Sequence, residues 1–351
     1  MNDADTTREL TDPTDVTSTV AGPGRLASSS RPAPSRFSMR LLLERYLLVG
    51  VWIALVILLG LTQPDSFLTS TAIQVIFGAS AVYVVLGLAA MCTTLVGEID
   101  LAVPFIMGLA ATSVPVLVSK MGFSVLAACA VALVLSAVAG LINGLLIVKV
   151  GVDAFIVTLA SGTILLGLAG GMSHQVPVSG LPPEFSQVAI SKFIGLPAFT
   201  WYGFILAIVG AYVLAFTPLG RDIAFVGANR EVSRLAGIRV DTVRLFAYVL
   251  GSLLAGIAGV LLVAQLGGFE ASTSGSYLLP TFAVLFLSAA VVRPGRFTPI
   301  GLLIAVYFIA TGNLGIQLFG YSGWPQQLFY GGSLVAAVTA VHIVRRKSST
   351  F

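Results

Sequence analysis

Residues 123–148 read FSVLAACAVALVLSAVAGLINGLLIV, a stretch without a single charged side chain. A helix needs about 20 mainly apolar residues to cross the ~30 Å hydrocarbon core of a bilayer. Backbone groups in lipid must form their hydrogen bonds within their own segment, which favours a helix. A barrel strand would instead alternate apolar and polar residues over about ten positions. This stretch therefore predicts a membrane-spanning helix.

The rest of the chain repeats this pattern. Of its 351 residues, 57% are hydrophobic and only 10% are charged, whereas about a quarter of the residues in a soluble domain are charged. The sequence therefore predicts an all-α polytopic membrane protein with about ten transmembrane helices. We place these spans at 45–62, 71–95, 101–119, 123–148, 153–171, 199–216, 241–265, 279–292, 300–318 and 326–344.

Positive residues are distributed unevenly between the two sides of this topology. If the N-terminus is cytoplasmic, 17 of the 19 Lys and Arg residues face the cytoplasm, and only Lys120 and Lys192 lie outside. Cytoplasmic loops of membrane proteins carry an excess of Lys and Arg. We therefore expect a multi-pass protein of the cell (inner or plasma) membrane with both termini cytoplasmic. The same bias explains the net charge of +4, so no nucleic-acid partner is expected.

The segments between the spans define the domain organisation. Residues 1–38 are rich in Ser, Thr, Pro and Asp and poor in large apolar residues, a composition typical of a disordered tail. Residues 39–347 form the transmembrane domain. Within it we expect residues 217–240 to form a cytoplasmic loop. Residues 172–198 form an extracytoplasmic segment long enough to meet a docking protein.

Motifs for covalent chemistry do not occur in the sequence. There is no Gly-x-x-x-x-Gly-Lys-[Ser/Thr] phosphate loop, no His-Glu-x-x-His and no Gly-x-Ser-x-Gly. The two histidines, His174 and His342, are far apart in the predicted topology and do not suggest a ligand pair. We therefore expect no catalytic residue, no metal site and no cofactor, and no ATP hydrolysis by this chain alone.

Ionisable residues are scarce in the middle of the predicted spans. Glu98 and Asp100 lie at a helix junction, Asp153 lies near a cytoplasmic helix end, and Glu270 lies just outside a span. A proton- or sodium-coupled carrier commonly binds its ion near the membrane midplane, where a buried carboxylate is costly and functional. This scarcity argues against ion coupling, although a secondary carrier or facilitator for a small polar solute remains the alternative.

Three motifs, in order along the chain, resemble a known family. They are Gly97-Glu-Ile-Asp-Leu-Ala-Val103, the run from Gly144 to Leu159, and Thr217-Pro-Leu-Gly-Arg221 followed by Gly227-Ala-Asn-Arg-Glu-Val-Ser-Arg-Leu-Ala-Gly-Ile238. Together they resemble the membrane permease subunits of ribose-type (monosaccharide) ABC importers, the binding-protein-dependent transport system inner membrane component family. The resemblance covers about residues 70–340.

The resemblance implies the function and the partners. The chain would form, with a second permease subunit, the path for a monosaccharide or related polyol. Two cytoplasmic ATP-binding subunits would drive transport, and an extracytoplasmic sugar-binding protein would deliver the substrate. Permeases of the same architecture carry branched-chain amino acids or nucleosides, so these substrates stay open. The turn at 288–299 departs from the family's glycine-rich pattern, which leaves both a homodimer and a heterodimer open.

In that family the segment matching 217–238 carries a coupling helix that docks on the ATPase. The residues here fit such a helix, because Asn229 can cap it, Glu231 suits its first turn and Gly237 can end it. Val232, Leu235 and Ala236 follow helical spacing and give a small apolar face. The expected coupling residues are Gly227, Asn229, Arg230, Glu231, Val232, Arg234, Leu235 and Gly237.

Polar residues inside or beside the spans are candidates either to line the pore or to support neighbouring backbone. A hydroxylated substrate needs hydrogen-bond partners that face away from lipid, but the same side chains can bond a neighbouring helix. For Asp100 we favour a cap at the start of the third span. Glu98 replaces a glycine that is usual in the family. The candidates are Asp100, Asn143, Thr158, Gln265 and Asn313.

Overall fold

The computed structural model describes residues 39–292 and 295–348. The predicted tail, residues 1–38, lies outside the described residues, as do two residues of the predicted turn, Arg293 and Pro294. The described chain is mainly helical. Its helices are α1 Met39–Thr62, α2 Pro64–Phe67, α3 Ser70–Leu95, α4 Val103–Met121, α5 Val125–Leu145, α6 Ala154–Ser173, α7 Pro183–Ile190, α8 Ala198–Phe216, α9 Pro218–Ala228, α10 Arg230–Leu235, α11 Val240–Leu266, α12 Leu278–Ser288, α13 Pro299–Leu318 and α14 Trp324–Ser348.

Seven of the predicted spans are confirmed as long apolar helices. Within the described residues, α3, α4, α5 with the π-helical turn Leu146–Val150, α6, α8, α11 and α13 are long and apolar enough to cross a membrane. The first and last predicted spans are also helical, as α1 and α14. The chain is therefore a multi-pass membrane protein.

The eighth predicted span differs from the expectation. Helix α12 has 11 residues, which extend about 16 Å at 1.5 Å per residue and so fall short of the hydrocarbon core. It ends at Ser288 rather than at 292, and a 3₁₀ segment, Ala271–Tyr277, precedes it. Apolar composition predicts that this region is embedded in the membrane but does not reveal where its helix ends.

Helix α11 lies at the centre of the bundle and packs against α3, α4 and α5. Small residues permit these close approaches. A Cβ atom at Gly251 would lie 2.8 Å from the Ala89 carbonyl oxygen, and one at Gly259 would lie 2.4 Å from the Met107 carbonyl oxygen. Backbone therefore meets backbone along this seam, as is typical of helices packed in lipid.

The Gly-x-x-x-Gly pair of α5 serves packing inside the chain. A Cβ atom at Gly140 would meet the Ser252 hydroxyl oxygen at 2.3 Å, and one at Gly144 would meet the Tyr248 Cβ atom at 3.2 Å. Both contacts join α5 to α11. At Gly167 of α6, by contrast, an added Cβ atom would find nothing within 4 Å.

The two ends of the bundle carry different connections. At one end, β1 (Val178–Ser179) pairs antiparallel with β4 (Gly268–Phe269), and β2 (Lys192–Phe193) pairs with β3 (Leu196–Pro197). The expected extracytoplasmic segment is thus folded and joined to the chain that follows α11. The opposite end gathers the α3–α4 junction, the segment after α5, and the helices α9 and α10.

Candidate functional site

The segment between α8 and α11 folds as two short helices rather than one. Thr217 caps α9, because its hydroxyl accepts a hydrogen bond from the Gly220 N–H at 3.3 Å, and Pro218 occupies the first helical position. Ile223 and Val226 of α9 are buried in a small apolar cluster with Val96 at the end of α3. Helix α9 was not foreseen from the sequence, although its Thr-Pro start is a recognisable helix signal.

Gly227 belongs to α9 and not to the predicted coupling helix. A Cβ atom at this position would lie 2.0 Å from the Leu95 carbonyl oxygen. No other residue type fits there without a shift of backbone. The structure therefore explains Gly227 by the close approach of α9 to the end of α3, whereas the sequence had assigned it to contact with a partner.

Helix α10 has the caps that the sequence predicts. The Asn229 side-chain oxygen accepts hydrogen bonds from the N–H groups of Glu231 at 3.0 Å and Val232 at 3.1 Å. The helix ends at Leu235, and Gly237 follows with a positive φ of 81°. This conformation is one that glycine adopts readily. The expected short, capped helix is confirmed.

The apolar side chains of α10 point away from the rest of the chain. Leu235 is 90% exposed and Val232 is 59% exposed, and Ala236 is exposed as well. Ser233 faces the opposite way and is buried, and its hydroxyl donates to the Asn229 carbonyl oxygen at 2.7 Å. The helix thus presents an uncovered apolar surface on a fixed backbone.

Exposed ion pairs hold the C-terminal part of α10 over the start of α11. Arg234 contacts Glu231 at 3.1 Å and Asp241 at 3.5 Å, and Lys149 contacts the other oxygen of Asp241 at 3.8 Å. Exposed pairs of this kind are each worth ~1 kcal/mol or less. They orient α10 and contribute little to global stability.

The first residue of α10 is joined to the bundle by a more buried contact. Arg230 Nη2 donates to Glu98 Oε1 at 2.9 Å and to the Val96 carbonyl oxygen at 3.2 Å. Arg244 of α11 also binds Glu98 Oε1, through Nε at 2.9 Å and through Nη2. Glu98 itself is only 7% exposed. The carboxylate therefore connects three elements, and Arg244 is a member of the site that sequence reasoning missed.

Asp100 supports the backbone of the α3–α4 junction but does not cap α4, whose N-cap residue is Ala102 and has no side-chain cap hydrogen bond. Its Oδ1 atom accepts a hydrogen bond from the Ala102 N–H at 2.9 Å. The pKa of this carboxyl is raised to about 7, mainly by burial and to a smaller extent by the charge of Glu98, while the hydrogen bond from Ala102 opposes the rise. Thr158 acts on the same junction, because its hydroxyl oxygen accepts from the Leu101 N–H at 3.1 Å. Both polar candidates thus have a structural function here.

The other predicted polar residues do not converge on one path within this chain. Asn143 is buried on α5, on the side that packs against α11, and its Nδ2 atom has no hydrogen-bond partner among the described residues. Asn313 of α13 lines a separate cavity of about 200 Å³ together with Tyr83, Gln317 and Tyr330. Gln265 lies at the opposite end of α11 from the α10 site. Their role in a pore stays a prediction.

Comparison with known proteins identifies the family to which this chain belongs. A family model described as the permease component of branched-chain amino acid transport systems matches residues 71–338. The chain is 25% identical to the autoinducer 2 import system permease protein LsrC of Photorhabdus laumondii subsp. laumondii, over 82% of this chain and 86% of that protein. The corresponding protein of Salmonella typhi is 27% identical over 80% of both chains.

A third LsrC relative, from Yersinia pseudotuberculosis serotype O:1b, is 25% identical over 78% of both chains. No solved structure matches the chain. The family match extends from the start of α3 into α14 and includes the α3–α4 junction, α9 and α10. The protein therefore belongs to this family of transport-system permease components, which confirms the permease assignment made from its three motifs.

Proposed function

We propose that this chain is the transmembrane permease subunit of an ABC importer for a monosaccharide or related polyol. With a second permease it forms the translocation path, and separate ATPase subunits supply the energy. Helix α10 is the element that docks on the ATPase. The observation that carries the proposal is the uncovered apolar surface of α10, with Leu235 90% exposed on a helix capped at both ends.

The geometry of the loop supports transmission of movement into the bundle. Only four residues, 236–239, separate α10 from α11. Helix α11 in turn packs against α3, α4 and α5. When ATP closes the two ATPase subunits, each displaced α10 moves the start of α11 with it. The two permeases then alternate between outward-open and inward-open forms, which is the transport cycle that we propose.

The proposed topology has about ten spans, with both termini and α10 in the cytoplasm. Two features support it. The segments assigned to the cytoplasm meet at one end of the bundle, where Glu98 binds Arg230 and Lys149 binds Asp241. The segments assigned to the outside meet at the other end, where β1 pairs with β4. That outer face, including residues 172–198, is the surface that we assign to a solute-binding protein.

The substrate class rests on the resemblance of the three motifs to ribose-type permeases. The names of the LsrC relatives support import, since each is called an import system permease. The family description names branched-chain amino acids, and that description favours a second candidate substrate. Transport by a gradient-driven carrier is the third candidate.

One experiment separates these candidates. The permease is reconstituted in liposomes with the ATPase and binding proteins that co-purify with it, and uptake of labelled ribose, autoinducer 2 and leucine is measured. We expect uptake of the sugar-type solutes that requires internal ATP and survives collapse of the proton and sodium gradients. Uptake of leucine alone would support the second candidate, and uptake without ATP would refute the ABC assignment.

Two variants test the role of α10 in the same assay. Leu235→Asp places a charge in the docking surface, and Arg234→Glu reverses the charge beside it. Both are expected to abolish ATP-dependent uptake while membrane insertion remains normal, because both side chains are exposed. Unchanged uptake in both variants would contradict the coupling role.

A further inference from the structure

We propose that Glu98 is the positioning residue that transmits movement of α10 to the α3–α4 junction, through a permanent ion pair with Arg244 and a releasable one with Arg230. The inference rests on the proposed function, since it requires an external motor that moves α10. It adds a second route into the bundle beside the short connection from α10 to α11. This route leads to α3 and α4 instead.

The three side chains come from elements far apart in sequence. Glu98 follows α3, Arg230 is the first residue of α10, and Arg244 lies in the second turn of α11. Both guanidinium groups bind the same carboxylate oxygen, Oε1. A displacement of α10 therefore changes the contacts of Glu98 directly, without an intervening side chain.

The two ion pairs differ in their access to water. The side chains of the Arg244–Glu98 pair are 10% and 6% exposed, whereas the Arg230 side chain is 37% exposed. Separating a buried pair leaves an uncompensated charge and is strongly unfavourable. A partly exposed guanidinium regains hydration when it leaves its partner, so that its pair is weak and reversible. Arg244 thus stays bound to Glu98 and moves with it, while Arg230 can leave and return.

The second carboxylate oxygen of Glu98, Oε2, is also buried. The hydroxyl of Tyr248 in α11 lies beside this carboxylate as a donor. A buried acceptor without a donor is costly. When α10 shifts, Oε2 is therefore a further acceptor for Arg230, in competition with Tyr248.

Two side-chain hydrogen bonds hold the backbone of the junction beyond Glu98. Gly97 turns the chain after α3 with a positive φ of 83°. Asp100 then binds the Ala102 N–H, and Thr158 of α6 binds the Leu101 N–H. A shift of Glu98 therefore moves the start of α4 and its contact with α6.

The test compares uptake with ATP hydrolysis in the reconstituted complex. Arg230→Gln removes the charge of the releasable pair, and Arg296→Gln is the matched control, an exposed arginine before α13, outside the 217–240 loop, for which the described residues show no ion pair. We expect Arg230→Gln to bind the ATPase normally but to lower solute uptake per ATP by about 5-fold or more, the lower range of coupling between sites. Arg230→Lys, which keeps the charge, restores most of the ratio of uptake to ATP hydrolysis, and Arg296→Gln leaves this ratio unchanged.

Glu98→Gln is an independent test, because it changes the carboxylate instead of the arginine. It weakens both ion pairs at once, so we expect a lower ratio of uptake to hydrolysis and a lower melting temperature, whereas Arg230→Gln changes only the ratio. Equal ratios for Arg230→Gln, Arg296→Gln and the parent protein would overturn the relay while leaving the proposed function intact. Uptake by the parent protein that needs no ATP would overturn both.

Discussion

Leu235→Ala should weaken the complex with the ATPase and leave the fold of the permease unchanged. Leu235 is 90% exposed, so nearly all of its apolar surface is available for burial in a partner. Complete burial of a leucine side chain stabilises by about 1.5–3 kcal/mol. Truncation to alanine should therefore remove about 2 kcal/mol of docking free energy, and at ~1.4 kcal/mol per tenfold the complex should dissociate about 30-fold more readily.

The effect on the isolated permease should be small. An exposed side chain without contacts in the folded chain usually changes stability by ~0.5 kcal/mol or less when it is replaced. The melting temperature of Leu235→Ala in detergent should therefore equal that of the parent protein. This separation between docking and folding distinguishes a recognition surface from a part of the core.

The assay is a titration of the permease in nanodiscs with the ATPase subunit, read out by fluorescence anisotropy. The matched control is Leu126→Ala, because Leu126 is 83% exposed and lies at the start of α5, at the other end of the proposed topology. We expect Leu126→Ala to bind the ATPase as the parent protein does. Equal affinities for the two variants would refute the assignment of α10 as the docking element.

Three further predictions follow from individual contacts. Asn229→Ala removes the cap of α10, worth about 1 kcal/mol, so amide exchange at 230–235 should accelerate; unchanged exchange would contradict the capping role. The pKa of Asp100 is about 7 in the folded chain and ~3.9 in the unfolded chain, so the free energy of unfolding should fall as pH rises from about 4 to 7. Asp100→Asn should flatten the dependence of the melting temperature on pH. The same dependence in the variant and the parent protein would contradict the raised pKa. Gly140→Ala should lower the free energy of unfolding by about 1–3 kcal/mol, since its Cβ atom would lie 2.7 Å from the Tyr248 carbonyl oxygen. Gly167→Ala is the control, because a Cβ atom there meets open space. Equal melting temperatures for the two variants would disprove the close approach of α5 to α11.

Local signals in the sequence were sufficient for much of this structure. Uninterrupted apolar runs identify the seven long helices, and Asn229 and Gly237 mark the ends of α10, because each of these features acts within a few residues of itself. The bounds of the short helix α12 could not be predicted in this way. Its preceding 3₁₀ segment, Ala271–Tyr277, contains apolar and hydroxyl residues that do not signal where regular helix begins.

The contacts of Glu98 were beyond sequence reasoning for a different reason. Its partners Arg230 and Arg244 lie 132 and 146 residues away along the chain, and no periodicity relates them. The sequence did mark Glu98 as an unusual residue where the family has glycine. Only the packing of α10 and α11 at the α3–α4 junction gives that carboxylate its two partners.

The polar contacts of α10 explain how so short a helix can transmit force. A helix of six residues is not stable on its own in water, and a flexible loop would absorb a push instead of passing it on. Here the first residue, Arg230, is held by Glu98, and Arg234 in the last turn is held by Asp241. These pairs orient both ends of α10 on the bundle, the Arg230 pair reversibly, while Leu235 stays uncovered. If the ATPase docks on Leu235 as we propose, displacement of α10 reaches α11 through residues 236–239 and the α3–α4 junction through Glu98.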